Sequence, residues 1–111
     1  MSKLTASEFL NGDTVFQIQT TIGTVMALDR QFQADYFADG ETRADFLQSV
    51  PKTLSTICEA MANHVYVISK YGLHSHEYAK EVIDLSVECY KQAHALRIRI
   101  EAKRYGQRGA A

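Results

Sequence analysis

The sequence predicts an all-α fold: a small helical bundle of three main helices plus a short helix, ending in an antiparallel hairpin with a long last helix. Three observations carry this. His76 to Arg104 is a run of 29 residues without Pro or Gly, and its apolar residues recur at helical spacing. Leu54, Ile57, Met61, His64, Ile68 and Tyr71 repeat at intervals of 3-4-3-4-3, a seam of heptad type. Ile18, Ile22, Val25, Phe32 and Tyr36, widened by Val15 and Met26, form one stripe at a period near 3.6. With 111 residues, 46% hydrophobic and 23% charged, the chain has the size and composition of one soluble globular domain.

Residues 1–12 read as a loose N-terminal tail, with Thr5-Ala6-Ser7-Glu8 resembling the beginning of a helical turn. Asn11-Gly12-Asp13 signals a turn, with Asp13 as N-cap of a helix from Thr14 to about Ala38. Thr14 to Ile22 is rich in β-branched residues and alternates Phe16 and Ile18 with Gln17 and Gln19, so a strand competes here. The helix is preferred because its period continues to Tyr36, and a lone strand has nothing to pair with. Gly23 marks either a close helix contact or a local weakness. Asp29 is odd on this apolar stripe, because a carboxylate there needs a donor. His64, His94 and Tyr90 are candidate donors, and a small rotation to the solvent edge is the alternative.

Asp39-Gly40 ends the first helix, and a short helix is expected over about 42–49. Pro51, the only proline, biases Val50 away from helical angles, so Ser49 or Val50 should cap a new helix with Pro51 in its first turn. That helix runs over 52–71 and stops at Gly72, with Leu73 placed for the contact that follows such a stop. Ser75 caps the last helix over 76–104, and residues 105–111 read as a flexible C-terminal tail. The short link forces the last two helices antiparallel. At 1.5 Å per residue the last helix is roughly 43 Å long and the middle one nearer 30 Å. Leu96, Ile98 and Ile100 then overhang the partner unless the short helix or another subunit covers them.

The last helix carries two stripes. Tyr78, Val82, Leu85, Cys89, Ala93, Leu96 and Ile100 form one; Ile83, Val87, Tyr90, His94 and Ile98 form the other, about 140° around the axis. One apolar face satisfies a helix at the edge of a small bundle, so the second asks for a partner. A homo-oligomer is expected, most simply a C2 dimer with Ile83, Val87, Tyr90, His94 and Ile98 at the contact.

The net charge of −1 hides a gradient. Residues 1–50 hold three Lys/Arg against seven Asp/Glu, whereas residues 91–111 hold Lys91, Arg97, Arg99, Lys103, Arg104 and Arg108 against Glu101 alone. This basic patch implies a partner of opposite charge, the protein's own acidic half included. With Tyr90 and Tyr105 nearby it also supports a second reading, nucleic-acid binding along Lys91–Arg108. Against that stand the mildly acidic whole, the lack of helix-turn-helix spacing and a last helix committed to apolar burial.

No constellation for catalysis is legible: there is no Gly-rich phosphate loop, Gly-x-Ser-x-Gly or His-Glu-x-x-His. Neither Glu59, Glu81 nor Glu88 has a histidine three residues on, as di-iron bundles require. Cys58 and Cys89 fall at one level of the hairpin and read as core neighbours, with a regulatory disulfide as the alternative, which requires their Cβ vectors to point together. A zinc site with His64 and His94 fails because each pair points to different sides of its helix. His74 and His76 at the hairpin tip, with Glu77, are too few to define an ion. No metal or cofactor is expected. The longest apolar run of note, Val65–Ile68, is far short of the ~20 residues of a spanning helix. Met1 to Thr5 is too polar to open a secretory signal, so no membrane association and a cytoplasmic location are expected. The function read from this pattern is non-enzymatic: an adaptor, assembly or export chaperone, or regulatory subunit that holds a partner helix in an apolar groove.

Overall fold

The computed structural model describes residues 12–35, 37, 40–71 and 75–109, with side chains for 14–35, 37, 42–70 and 75–105. It holds three α-helices: α1 Gly12–Ala34, α2 Gly40–Tyr71 and α3 His76–Gly109. The all-α bundle is thus observed, and the described residues contain no strand. Residues 14–22, where a strand competed, are helical. The expected helical turn at Thr5 to Glu8, Tyr36, the Asp39 stop, Gly72, Leu73 and His74 lie outside the described residues.

Expectations about length are corrected first in α2 and at the end of α3. The short helix over 42–49 is not separate, because α2 runs unbroken through Pro51. Proline there removes the N–H that would bond the Leu47 carbonyl, at a cost of about 3 kcal/mol. Burial offsets it: Phe46, Leu47 and Pro51 are all buried, and a fully buried Phe or Leu contributes about 1.5–3 kcal/mol. The C-terminal tail is also shorter than expected, since α3 continues to Gly109. With 32 and 34 residues, α2 and α3 are almost equal in length, and the overhang disappears. Leu96 and Ile100 are fully buried in one cluster with Phe46 and Leu47. Only Ile98 of the three supposed overhanging residues is exposed.

The packing defines an up-down-up arrangement. Phe46, Leu47, Leu54 and Cys58 of α2 meet Ala93, Leu96 and Ile100 of α3, while Met61 and Ile68 meet Val82 and Cys89. Rising numbers in α2 match falling numbers in α3, so the two run in opposite senses. In α1 the order is reversed: Thr14 bonds Tyr78 near the start of α3, and Asp29 and Asp35 meet Arg99 and Lys103 near its end. α1 therefore runs parallel to α3. Ile18 and Val25 are its buried anchors, with Ile22, Leu28 and Phe32 partly covered. The molecule measures 53 × 25 × 22 Å.

α1 stops at Ala34, earlier than expected, because Asp35 turns to φ 49°. Its N–H bonds the carbonyls of Gln31 and Phe32 at 3.1 and 3.3 Å, closing the helix with a left-handed residue. Asp tolerates that region better than most residues, and here the carboxylate has partners. Arg43 Nε lies 3.2 Å from it and Lys103 Nζ 3.4 Å. An aromatic cluster fixes the same corner: Phe46 stacks on Phe32 at 6.5 Å and meets Phe37 at 5.2 Å with a 59° tilt. Gly23 makes no close helix contact, for a Cβ built there meets nothing within 4 Å. Among the described residues, no helix is long and apolar enough to cross a membrane.

Candidate interaction site

The two stripes of α3 have different fates. Of the first, Val82, Cys89, Ala93, Leu96 and Ile100 are fully buried, and Tyr78 and Leu85 pack beside them. Of the second, Val87, Tyr90 and Ile98 are 39%, 40% and 50% exposed. Ile83 is half-buried against the Ile18–Met61 cluster, and His94 is half-buried too. α1 and α2 occupy two sides of α3, and Val87, Tyr90 and Ile98 are exposed on the remaining side, with Ile83 and His94 half-covered.

Beside this stripe, between α2 and α3, is a groove of about 400 Å³ lined by Met61, Ala62, Val65, Ser86, Val87, Tyr90 and Lys91. Its walls are almost wholly apolar carbon, with Lys91 supplying a charge. Ser86 is fully buried, and its hydroxyl has no hydrogen-bond partner. That is costly for a buried polar atom. The sequence reading missed Ser86, Ala62 and Met61 as groove residues. The available signal was positional: Ser86 sits between the two stripes, on the side that turns to α2.

Polar contacts order the stripe. The Tyr90 and His94 rings stack at 5.8 Å and 24°. Arg97 Nη2 lies 3.0 Å from His94 Nδ1. A guanidinium can only donate, so this contact is a hydrogen bond in the tautomer whose Nδ1 accepts. Tyr66, 56% exposed, continues the apolar surface on α2, and Lys70 Nζ donates to its hydroxyl at 2.9 Å.

The basic residues do not form one free patch. Arg99 Nη2 pairs with Asp29 at 3.1 Å, and Lys103 combines its Asp35 contact with a position 5.6 Å from the Phe32 ring centre. Arg104 stacks on Tyr105 at 5.9 Å, Arg97 is turned to His94, and Lys91 borders the groove. The Arg108 side chain lies outside the described residues. Part of the positive charge thus meets the protein's own acidic half. Asp29 finds its donor in Arg99, with Gln33 Nε2 donating at 3.0 Å, and not in His64, His94 or Tyr90. Burial pushes the Asp29 pKa up, but the hydrogen bonds from Arg99 and Gln33 and the charge of Arg99 prevail and hold it below its ordinary value.

Cys58 and Cys89 are both buried and unbridged. Cys58 Sγ donates to the Tyr90 carbonyl at 3.9 Å, which places it beside Cys89. Burial, with the neighbouring Cys58, pushes the Cys89 thiol up to about 11, and burial raises Cys58 as well. Such thiols are inert, not nucleophilic. Burial lowers the His64 pKa. A second hollow, about 440 Å³ between α1 and α3, is lined by Gln19, Glu77, Lys80, Glu81, Asp84 and Leu85. Its Lys80 and Asp84 pair at 3.1 Å. Among the described residues no three His, Cys, Asp or Glu side chains are grouped to hold a metal ion.

Comparison of the chain with protein-family models, with curated proteins and with solved structures finds no match.

Proposed function

We propose that the protein is a non-enzymatic helical interaction module, an adaptor, assembly or export chaperone, or regulatory subunit, that works as a homo-oligomer, most simply a dimer. One observation supports this above all. Val87, Tyr90 and Ile98 stay exposed on an apolar stripe that borders an apolar groove, and contiguous surfaces of that kind usually mark association sites. The mechanism is helix-in-groove packing: apolar side chains supply the affinity, and the basic residues at the end of α3 select among partners by charge. The partners are a second copy and another protein.

Light scattering on the purified chain tests self-association. The expected result is a dimer at micromolar concentration; a persistent monomer at several hundred micromolar overturns the reading. The double variant V87E/I98E should keep its helical circular dichroism and run as a monomer.

The alternative, a nucleic-acid-binding regulator using Lys91 to Arg108, has less support. Arg99 and Lys103 are already engaged with Asp29 and Asp35. Its mark would be an affinity for DNA or RNA that falls steeply with added salt, whereas an apolar helix contact changes little.

A further inference from the structure

The stripe on α3 is close to a palindrome. Its residues are spaced 4-3-4-4 read forward and 4-4-3-4 read backward. Two such helices laid antiparallel about an axis between Tyr90 and Lys91 bring Ile83 opposite Ile98 and Val87 opposite His94. The two Tyr90 rings then flank the axis. A parallel pairing would set each residue against itself, and charge decides between the two. Residues 76–90 carry Glu77, Glu81, Asp84 and Glu88 against Lys80; residues 91–105 carry Lys91, Arg97 and Arg104 against Glu101, with Arg99 and Lys103 already paired to Asp29 and Asp35 of the same chain. Antiparallel packing lays the acidic half of each helix along the basic half of the other, whereas parallel packing stacks like on like.

We infer that a second copy of this chain occupies the α2–α3 groove and the exposed α3 stripe, docking antiparallel about a two-fold axis at Tyr90. The inference rests on the self-association proposed above and names its geometry. In this register residues 76–105 of the two copies overlap, a contact about 45 Å long. Because α2 flanks α3 on the groove side, the two α2 helices come together on one side of the axis, and the four helices enclose the groove from both copies.

Mixed-disulfide trapping in the full-length chain tests the geometry. I83C and I98C are made singly, checked by circular dichroism, then oxidised alone and as a mixture; the buried Cys58 and Cys89 make the unmodified chain the blank. The expected result is a covalent 83–98 dimer in the mixture only, since 83 and its own copy stand about 22 Å apart in this register. Y90C should cross-link to itself, and I98E should weaken the dimer at least tenfold. Self-cross-linking of I83C and I98C separately means parallel packing and overturns the inference while self-association stands. A dimer by light scattering that none of the three cysteines traps places the contact elsewhere and also overturns it. A monomer removes both, and leaves the groove to a helix of a different protein.

Discussion

At the residue scale, single positions carry costs that their surroundings explain and experiment can reverse. Gly23 lies inside α1 with open space where a Cβ would go. Gly23→Ala should therefore add about 0.5–1 kcal/mol of stability, read as a melting temperature several degrees higher. A lower one would mean that α1 meets something there. The ionisable residues tie stability to pH. Asp29 is held below its ordinary pKa, so its pair with Arg99 stabilises the fold above about pH 4. That contribution is lost as pH falls through the lowered value. His64 acts in a different window. Its depressed pKa leaves the folded form neutral while the unfolded chain takes up a proton below about pH 6.5. Stability is unaffected above that pH, falls as pH drops towards the folded pKa, and then levels off. Urea titrations across pH 3–8 should show both losses, and Asp29→Asn should abolish the lower one. The oddity of Asp29 was legible in the sequence, but its partner was not. Whether a carboxylate meets Arg99 or His64 depends on the rotation of α1 about its axis, which no local pattern specifies.

At the element scale, the α3 stripes divide into a packed side and an open side, and paired substitutions measure the division. Leu96→Ala, beneath Phe46 and Leu47, should cost about 2–5 kcal/mol. Ile98→Ala, two positions on and half-exposed, should cost well under 1 kcal/mol in the monomer. Equal losses in chemical denaturation would contradict the burial. The thiols follow the same logic. Cys89, with its pKa pushed up to about 11, should resist alkylation at neutral pH until the helices separate. The helical periods that predicted these elements held over long stretches. Their ends held less well, and the reasons are particular. Pro51 normally opens a helix, yet here the burial of Phe46 and Leu47 carries α2 straight through it. Asp35 ends α1 because Arg43 and Lys103 reward its left-handed turn, the second from far along the chain.

At the scale of the whole molecule, α1 and α2 cover two sides of α3 and leave another open. If that flank is a dimer contact, the pairing of acidic and basic halves makes association sensitive to salt at its edges. Its apolar centre at Val87, Tyr90 and Ile98 should persist. Sedimentation at 0.05 and 0.5 M salt should therefore show only a modest rise in dimer Kd, whereas a steep one would assign the contact mainly to charge. The helical class, both stripes and the excess of apolar surface over what one small bundle can bury were all present in the order of residues, because periodicity is a local property. The length of α2, the stop at Asp35, the groove beside Ser86 and the inward turn of Arg99 and Lys103 needed the assembled fold. Each arises where side chains from distant segments meet, and there packing and ion pairs outweigh what neighbours along the chain prefer.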